Sequence, residues 1–484
     1  MRSKKNNIIR LRFFLLAPAL FFVNALYANV RMPAIFSDGM VLQRQTKCAV
    51  WGWAEPGEQI TIEPGWSGKI VSAKADASGK WTAWLQTPKA GGPYTIKIQG
   101  NNSIELKDVL IGEVWVCSGQ SNMVFALKGD HNAKTEIPAA DFPSIRYFSV
   151  ERQYRPEEFS DGPGSVWKRT SPATAGSFSA VAYYFAKKIH QQLNVPVGIV
   201  YAAWGGTPAE AWTPAPVIKN DTVLSKYIDR WQTILGKVGE DSVAYHLAVA
   251  EWRKDSTRSK RPEEPQTFYY YKRPWREPSV LFNGMISPVI PYGIKGVLWY
   301  QGESNVGYPD EYYHLFSRMI NGWRDKWNAN DLPFYFVQIA PFGYSNMDAA
   351  ARVRDAQYQV MQNIPATGMA VTLDIGNMKD QHPTKKQEVG DRLALIALAK
   401  DYGLKTTIYK GPEFKKVYVQ NEKVAIEYGF SGSPLVINGT ELKGFEIGYR
   451  LPGNDTLVFV NASAKLEGNK VIAWNEKVGQ PLGV

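Results

Sequence analysis

The sequence predicts an α/β protein, with a doubly wound parallel sheet that carries the chemistry and an antiparallel β domain on either side of it. Three observations predict this. Through the middle of the chain, apolar runs rich in β-branched residues alternate with helical patterns. Several of those runs end in a polar or glycine-rich group, which is where open α/β sheets bind ligands. The flanking segments are short alternating runs broken by Gly, Pro and Asn.

Residues 1–28 have a basic head, an apolar stretch and a small residue, Ala28, at a cut site. This pattern reads as a secretory signal peptide, so a secreted or periplasmic protein is expected. No Cys stands at the cut to anchor a lipid, and no later run is long enough for an integral membrane span. Arg2, Lys4, Lys5, Arg10 and Arg12 account for five of the formal +11 charges. The remaining charge, about +6, is not clustered and gives no nucleic-acid footprint. The chain is 44% hydrophobic and 13% aromatic, which argues for a sizeable core and against disorder. Its sixteen Trp and 25 Tyr tilt the reading toward sugars, whose C–H faces stack on rings. Two cysteines, Cys48 and Cys117, are too few for a thiolate zinc site and read as buried free thiols.

From 29 to 107 the runs AVWGWA, QITIEP, KIVSAKA, KWTAWLQ and YTIKIQG predict a small β-sandwich-like domain. Trp51, Trp53 and Trp66 there are open to two readings, a sugar-binding surface or packing that buttresses the next domain. From 108 to 404 the strand candidates are 109–119, 197–206, 296–305, 333–341 and 367–376. Helical patterns lie between them, including a run MVFALKG just after the first strand. A charged insert at about 217–279 interrupts the rhythm, its first part helical and its second a long loop, and reads as a lid, a cleft wall or surface decoration. From 405 to 484 the runs KVYVQ, KVAIEYG, TLVFVNA and KVIAWN predict a second β domain.

The first of the central strands delivers Gln120, Ser121 and Asn122 at its carboxyl end, and a serine there is well sited to be a nucleophile. The motif is not the lipase elbow G-x-S-x-G, because Met123 replaces the last Gly. A serine nucleophile needs a base, and the chain has five histidines. His190 and His314 sit inside helical patterns, His246 lies in the insert, and His131 lies in a polar loop close in sequence to the serine. His382, in DQHP, occupies a loop where an imidazole can face a cleft beside a carboxylate. A glycosidase pair of Glu303 and Asp380 would leave Ser121 and His382 without a role.

The stretch GEVWVCSGQSNM resembles the GQSN block of SGNH (GDSL-like) hydrolases and, more closely, the sialate O-acetylesterase family. WGGT, QGESN and DQHP follow in that family's order, so the resemblance spans most of the chain. It implies an SGNH-type catalytic sheet with Ser121 as nucleophile, ahead of Ser118, and His382 as base. The spacing is D-x-H, which is associated with this branch, where D-x-x-H is commoner among SGNH enzymes. Asp380 is therefore the carboxylate expected to orient His382, ahead of Asp374. Gly205, Gly206 and Asn305 correspond to the family's oxyanion donors, and no metal or organic cofactor is implied. Gln120, Gln301, Glu303 and Arg354 are candidates to contact substrate, with Arg352 a further arginine able to hold a carboxylate.

The expected partner is an O-acetylated sugar or glycan. An acetylxylan or other plant-polysaccharide deacetylase is the nearest alternative, and a non-catalytic carbohydrate-binding protein is the alternative of another class. Members of this family usually continue beyond a point like the terminal VGQPLGV, so the last domain is expected to be incomplete or to expose an edge.

Overall fold

A computed structural model describes residues 29–162, 165–255, 260–429, 434–437, 439–451, 453 and 455–484. The expected signal peptide, 1–28, lies outside the described residues. The fold is mixed α/β, built on a large mixed sheet of eleven strands.

One strand organises it. Ser103–Gly119 is 17 residues long and almost entirely buried from Val109 onward. Its first part pairs antiparallel with Gly91–Gln99 and its middle pairs parallel with Val41–Gln43. Its last part takes parallel partners on both sides, Val197–Ala203 and Gly296–Tyr300. The same strand therefore belongs both to the N-terminal β region and to the α/β layer.

Across the α/β layer the strand order is Thr367–Ala370, Phe334–Val337, Gly296–Tyr300, Ser103–Gly119, Val197–Ala203, Phe142–Ser149 and Lys168–Thr170. All neighbours are parallel except the short edge strand Lys168–Thr170. After the central strand the chain lays Phe142–Ser149 two places away and Lys168–Thr170 beyond it, fills the gap with Val197–Ala203, then crosses over and builds outward on the other side. The reversal opens a crevice at the carboxyl end of the central strand.

Side chains of the central strand alternate between two cores. Val114 and Val116 join one, with Leu315, Phe316 and Trp323 of helix Pro309–Trp327 and Val353 of helix Met347–Asn363. Trp115 and Cys117 join the other, with Phe185 of helix Ala180–Leu193 and Leu393 of helix Lys386–Lys400. Local chemistry sets the helix ends. The Ser179 hydroxyl caps Ala180–Leu193 by accepting from the Ala182 N–H, and Asn194 closes it in the left-handed conformation. Pro309 opens Pro309–Trp327, where its missing N–H costs nothing.

Two elements differ from expectation. The run MVFALKG is not one helix: Ser121–Val124 makes a single four-residue turn, Phe125 is extended, and a 3-10 turn follows at Leu127–Gly129. So short a helix aligns few peptide dipoles, so charge stabilisation at Ser121 has to come from individual N–H groups. The strand Phe142–Ser149 carries no clear strand pattern, because Pro143 opens it and Arg146 occupies a buried position. That guanidinium is satisfied by Asp108 at 2.7 and 3.2 Å.

The N-terminal runs form the expected antiparallel pairs. Trp51 is buried against Phe36, Arg31 covers Trp53, and the Trp66 indole donates to the Gln86 carbonyl. Trp51 is thus a packing residue, while Trp53 and Trp66 are half-buried. Cys48 and Cys117 are free and buried, and burial pushes the Cys48 thiol up to about 12. Beyond the α/β layer, Glu413–Gln420, Lys423–Gly429, Lys470–Trp474 and Ser463–Glu467 form a four-stranded antiparallel sheet. Glu446–Arg450 and Leu457–Asn461 add a hairpin. Among the described residues, no helix is long and apolar enough to cross a membrane.

Gly119 ends the central strand with φ +135°, and a Cβ there would stand 2.2 Å from the Tyr300 carbonyl oxygen. Gly119→Ala is therefore expected to lower unfolding free energy by about 2–4 kcal/mol, read from the urea midpoint.

Candidate active site

The central strand and its two parallel neighbours end at one level, with Ala203, Gly119 and Tyr300 in register. Gln120, Trp204 and Gln301 follow them, so three loops leave one rim of the sheet together. Ser121 stands there, half-exposed, at the start of its four-residue turn. Its Oγ lies 2.8 Å from His382 Nε2, although 261 positions separate the two residues along the chain.

The other histidines are engaged elsewhere. His131 and His190 contact the carbonyls of Thr384 and Val195, His246 packs on Tyr245, and His314 pairs with Asp221. Ser118 is fully buried within the central strand and is not available as a nucleophile.

The loop carrying His382 is held by a short side-chain turn. Asp380 Oδ1 accepts the backbone N–H of His382 at 2.8 Å, which sets the backbone that presents the ring. Asp374 forms a two-bond ion pair with Arg392 at 2.7 and 2.6 Å. Burial, then the Lys386 charge, lower the His382 pKa from the ordinary imidazole value, and Asp380 opposes them. With the ring neutral, the Ser121 hydroxyl donates to Nε2 and the imidazole is ready to accept its proton.

Gly205 packs directly against Ser121: a Cβ on it would meet Ser121 Cβ at 3.5 Å. Gly206 follows with φ +71° and open space on its Cβ side, and its carbonyl accepts from Arg276. Asn305 is buried behind this turn. Its Oδ1 accepts from the Ala209 N–H at 2.9 Å and from Gln301 Nε2 at 2.6 Å, and its Nδ2 donates to Glu210 at 2.9 Å. The Asn305 amide thus ties the loop after Gly296–Tyr300 to the loop after Val197–Ala203.

Gln120, Gln301 and Glu303 lie beneath the rim. Gln120 Oε1 accepts the Ser304 N–H, while Gln301 bonds Asn305, Thr207 and Tyr312. Glu303 is 8% exposed and accepts from Asn122 Nδ2 at 2.6 Å, and burial raises its carboxyl pKa. Arg354 sits on helix Met347–Asn363, close enough to Tyr344 for its charge to act on that hydroxyl. Arg352 is paired with Asp310 and Asp348 at the surface.

Three residues with no role assigned from the sequence complete the surroundings. Asn122 follows the serine, Lys386 lies four positions after His382, and Asp130 accepts the Lys386 backbone N–H at 3.0 Å. Asn122 stands inside the quoted motif, and the i, i+4 spacing of Lys386 was the signal that could have found it. On the other side of the rim the insert contributes the long helix Ser225–Lys254, the short helix Gln266–Tyr271 and Arg276. Lys226, Arg230, Gln266, Tyr270 and Tyr308 line a cavity of about 500 Å³ between those helices and the loop following Asn305. The insert thus forms a wall reaching Gly206.

A mixed α/β sheet with this polar rim at its switch point is the fold of a carbohydrate esterase. A carbohydrate acetylesterase from Xanthomonas citri shares it, with a TM-score of 0.77, 32% identity, and coverage of 94% of this chain and 93% of that one. Residues 111–246 and 271–399 match the family described as "Carbohydrate esterase, sialic acid-specific acetylesterase", and the chain belongs to that family. Sialate O-acetylesterase of Rattus norvegicus is 30% identical over 460 residues, covering 86% of this chain and 82% of the rat protein. The Homo sapiens sialate O-acetylesterase is 30% identical over 425 residues, 80% and 74% of the two chains. The protein is a carbohydrate O-deacetylase.

The contrast between the two carboxylates can be measured. Asp380→Ala removes a charge that favours the imidazolium, so His382 should titrate at lower pH than in wild type. Asp374→Asn, whose charge is already spent on Arg392, should leave that titration in place. NMR titration of the His382 ring reads both.

Proposed function

We propose that the protein is an exported serine esterase that removes O-acetyl groups from sugars, with sialate esters as its substrates, and that its catalytic layer is an SGNH-type sheet flanked by two β domains. The observation that carries the mechanism is the 2.8 Å contact between Ser121 Oγ and His382 Nε2 at the sheet's switch point. That contact supplies a nucleophile already bonded to a neutral base.

Ser121 Oγ attacks the acetyl carbonyl carbon as its proton passes to His382 Nε2. The carbonyl electron pair moves onto the oxygen, which the backbone N–H groups of Gly205 and Gly206 steady, while Asn305, whose Nδ2 is engaged by Glu210, holds their loop rather than donating itself. The intermediate collapses, the bond from carbonyl carbon to sugar oxygen breaks, and His382 returns the proton to the leaving hydroxyl. Water then attacks the acetyl-Ser121 ester with the same base assistance, and acetate leaves. Asp380 keeps the loop carrying the base in register and favours the imidazolium that forms.

The choice of sialate rests on the family and on relatives bearing that activity in their names. A non-catalytic binding role would give the Ser–His contact no purpose.

Ser121→Ala should cut acetate release by about four orders of magnitude or more while leaving the unfolding midpoint near wild type. Wild type should be labelled at Ser121 by a fluorophosphonate probe. Acetate release from 9-O-acetyl sialic acid, set beside acetylated xylan, reads the sugar: a faster rate on xylan would reassign the substrate and leave the mechanism standing.

A further inference from the structure

Behind the nucleophile lies a buried ionic cluster that no step of the reaction uses. Lys386 is 1% exposed, yet it carries an ammonium. Its Nζ donates to Asn122 Oδ1 at 2.6 Å. It also sits over the rings of Phe125 and Tyr300, at 4.9 and 5.3 Å. Charged and titratable groups face it from every side: Glu303 from the loop after Gly296–Tyr300, Asp130 from the segment after the serine, and Asp380 and His382 from its own loop.

Asn122 sits at the centre of this cluster. Its Nδ2 donates to Glu303 Oε1 at 2.6 Å and to the Gln381 carbonyl at 3.0 Å, while its Oδ1 faces the ammonium. The cation on one side and the carboxylate on the other permit one orientation of the amide. A flipped amide would set N–H against ammonium and carbonyl against carboxylate. That one side chain therefore joins the residue after Ser121, the residue before His382 and the Glu303 loop.

We propose that Lys386 is a positioning residue of the esterase site: through Asn122 its ammonium locks the serine turn to the histidine loop, and it stands as a like charge to His382 whenever the imidazole takes up a proton. The inference rests on the esterase reading above and adds to it a residue that touches neither substrate nor the reacting atoms. Apolar packing alone would not require an ammonium here. Burying one is strongly disfavoured unless partners offset it, and a side chain of Met volume would fill the same space.

The direction of the pH effects follows from the charges. The Lys386 cation opposes imidazolium, so it extends activity to lower pH. Burial lowers Lys386 itself to about 8, so the cation is lost as pH rises through that value. The lock then weakens, and a basic limb is expected. An arginine stays charged throughout and should carry that limb upward.

The test compares full-length wild type, Lys386→Met and Lys386→Arg. It reads kcat/KM on an aryl acetate from pH 4.5 to 9.5, unfolding midpoints, and NMR titration of His382. For Lys386→Met, kcat should fall about tenfold or more with little change in KM, and both the acid limb and the His382 titration should move upward by about half to one pH unit. Lys386→Arg should restore the acid limb and shift the basic limb to higher pH. Should Lys386→Met fail to fold, Glu303→Gln keeps the bond to Asn122 and removes the anion facing the ammonium. The Lys386 pKa then falls, and the basic limb moves to lower pH. A foldable Lys386→Met with an unmoved acid limb and unmoved His382 titration overturns the proposal, as does Glu303→Gln with an unmoved basic limb. A wild type inert toward the aryl acetate overturns the esterase reading instead, and the His382 titration then still decides the electrostatic role of Lys386.

Discussion

The register of three parallel strand ends governs this molecule. Gly119 has Ala203 on one side and Tyr300 on the other, and the backbone ladders that hold them leave no freedom to slide. Three of the loops that build the site descend from that level. The serine follows Gly119 after one residue, the glycine pair follows Ala203, and the Asn305 loop follows Tyr300. The closeness of Gly119 to the Tyr300 carbonyl is what that convergence demands, since a side chain there would push the strands apart. The same strand also runs back into the N-terminal β region, so the level of the catalytic rim is tied to a second packed unit.

Beneath the rim the protein buries charge that a purely structural core would avoid. Lys386, Glu303 and Asp130 occupy places where isolated ions would be strongly disfavoured. Their mutual attraction and the Asn122 amide make the arrangement tolerable and allow one geometry, so conformational uniqueness is gained at some expense in stability. Further out, Asn305, Gln301 and Gln357 stitch neighbouring loops through neutral amides. The site thus has a frame of side-chain amides around a charged centre, and the charged centre lies against the nucleophile and its base.

The family match pauses between residues 246 and 271, inside the insert. That interval holds the end of the long helix and most of the Gln266–Tyr271 helix, and Gln266 and Tyr270 of the latter face the cavity beside Tyr308. Ser121, Gly205, Gly206, Arg276, Asn305 and His382 all fall within the matched residues, whereas Gln266 and Tyr270 on the cavity wall fall outside them.

Strand and helix alternation was legible because each central run is buried on both faces and helices such as Pro309–Trp327 have one apolar stripe. The β-branched runs at 197, 296, 333 and 367 and the stripe of Pro309–Trp327 carry that signal locally. Phe142–Ser149 escaped because its buried arginine is satisfied by Asp108, a partner 38 positions away that periodicity cannot see. The MVFALKG run misled for the reverse reason: its apolar pattern suits a helix, but tertiary contacts leave Phe125 extended. Sequence alone determined the residue types at the rim and, through motif order, the family. Tertiary structure decided which of them meet. It put Ser121 against His382, gave Asp374 to Arg392 and left Asp380 with the histidine loop. It also turned Lys386, by sequence an ordinary helix-start lysine, into a buried cation behind the nucleophile. Chain spacing carries local preference, whereas burial and pairing of charge depend on neighbours that only the folded sheet brings within a few ångströms.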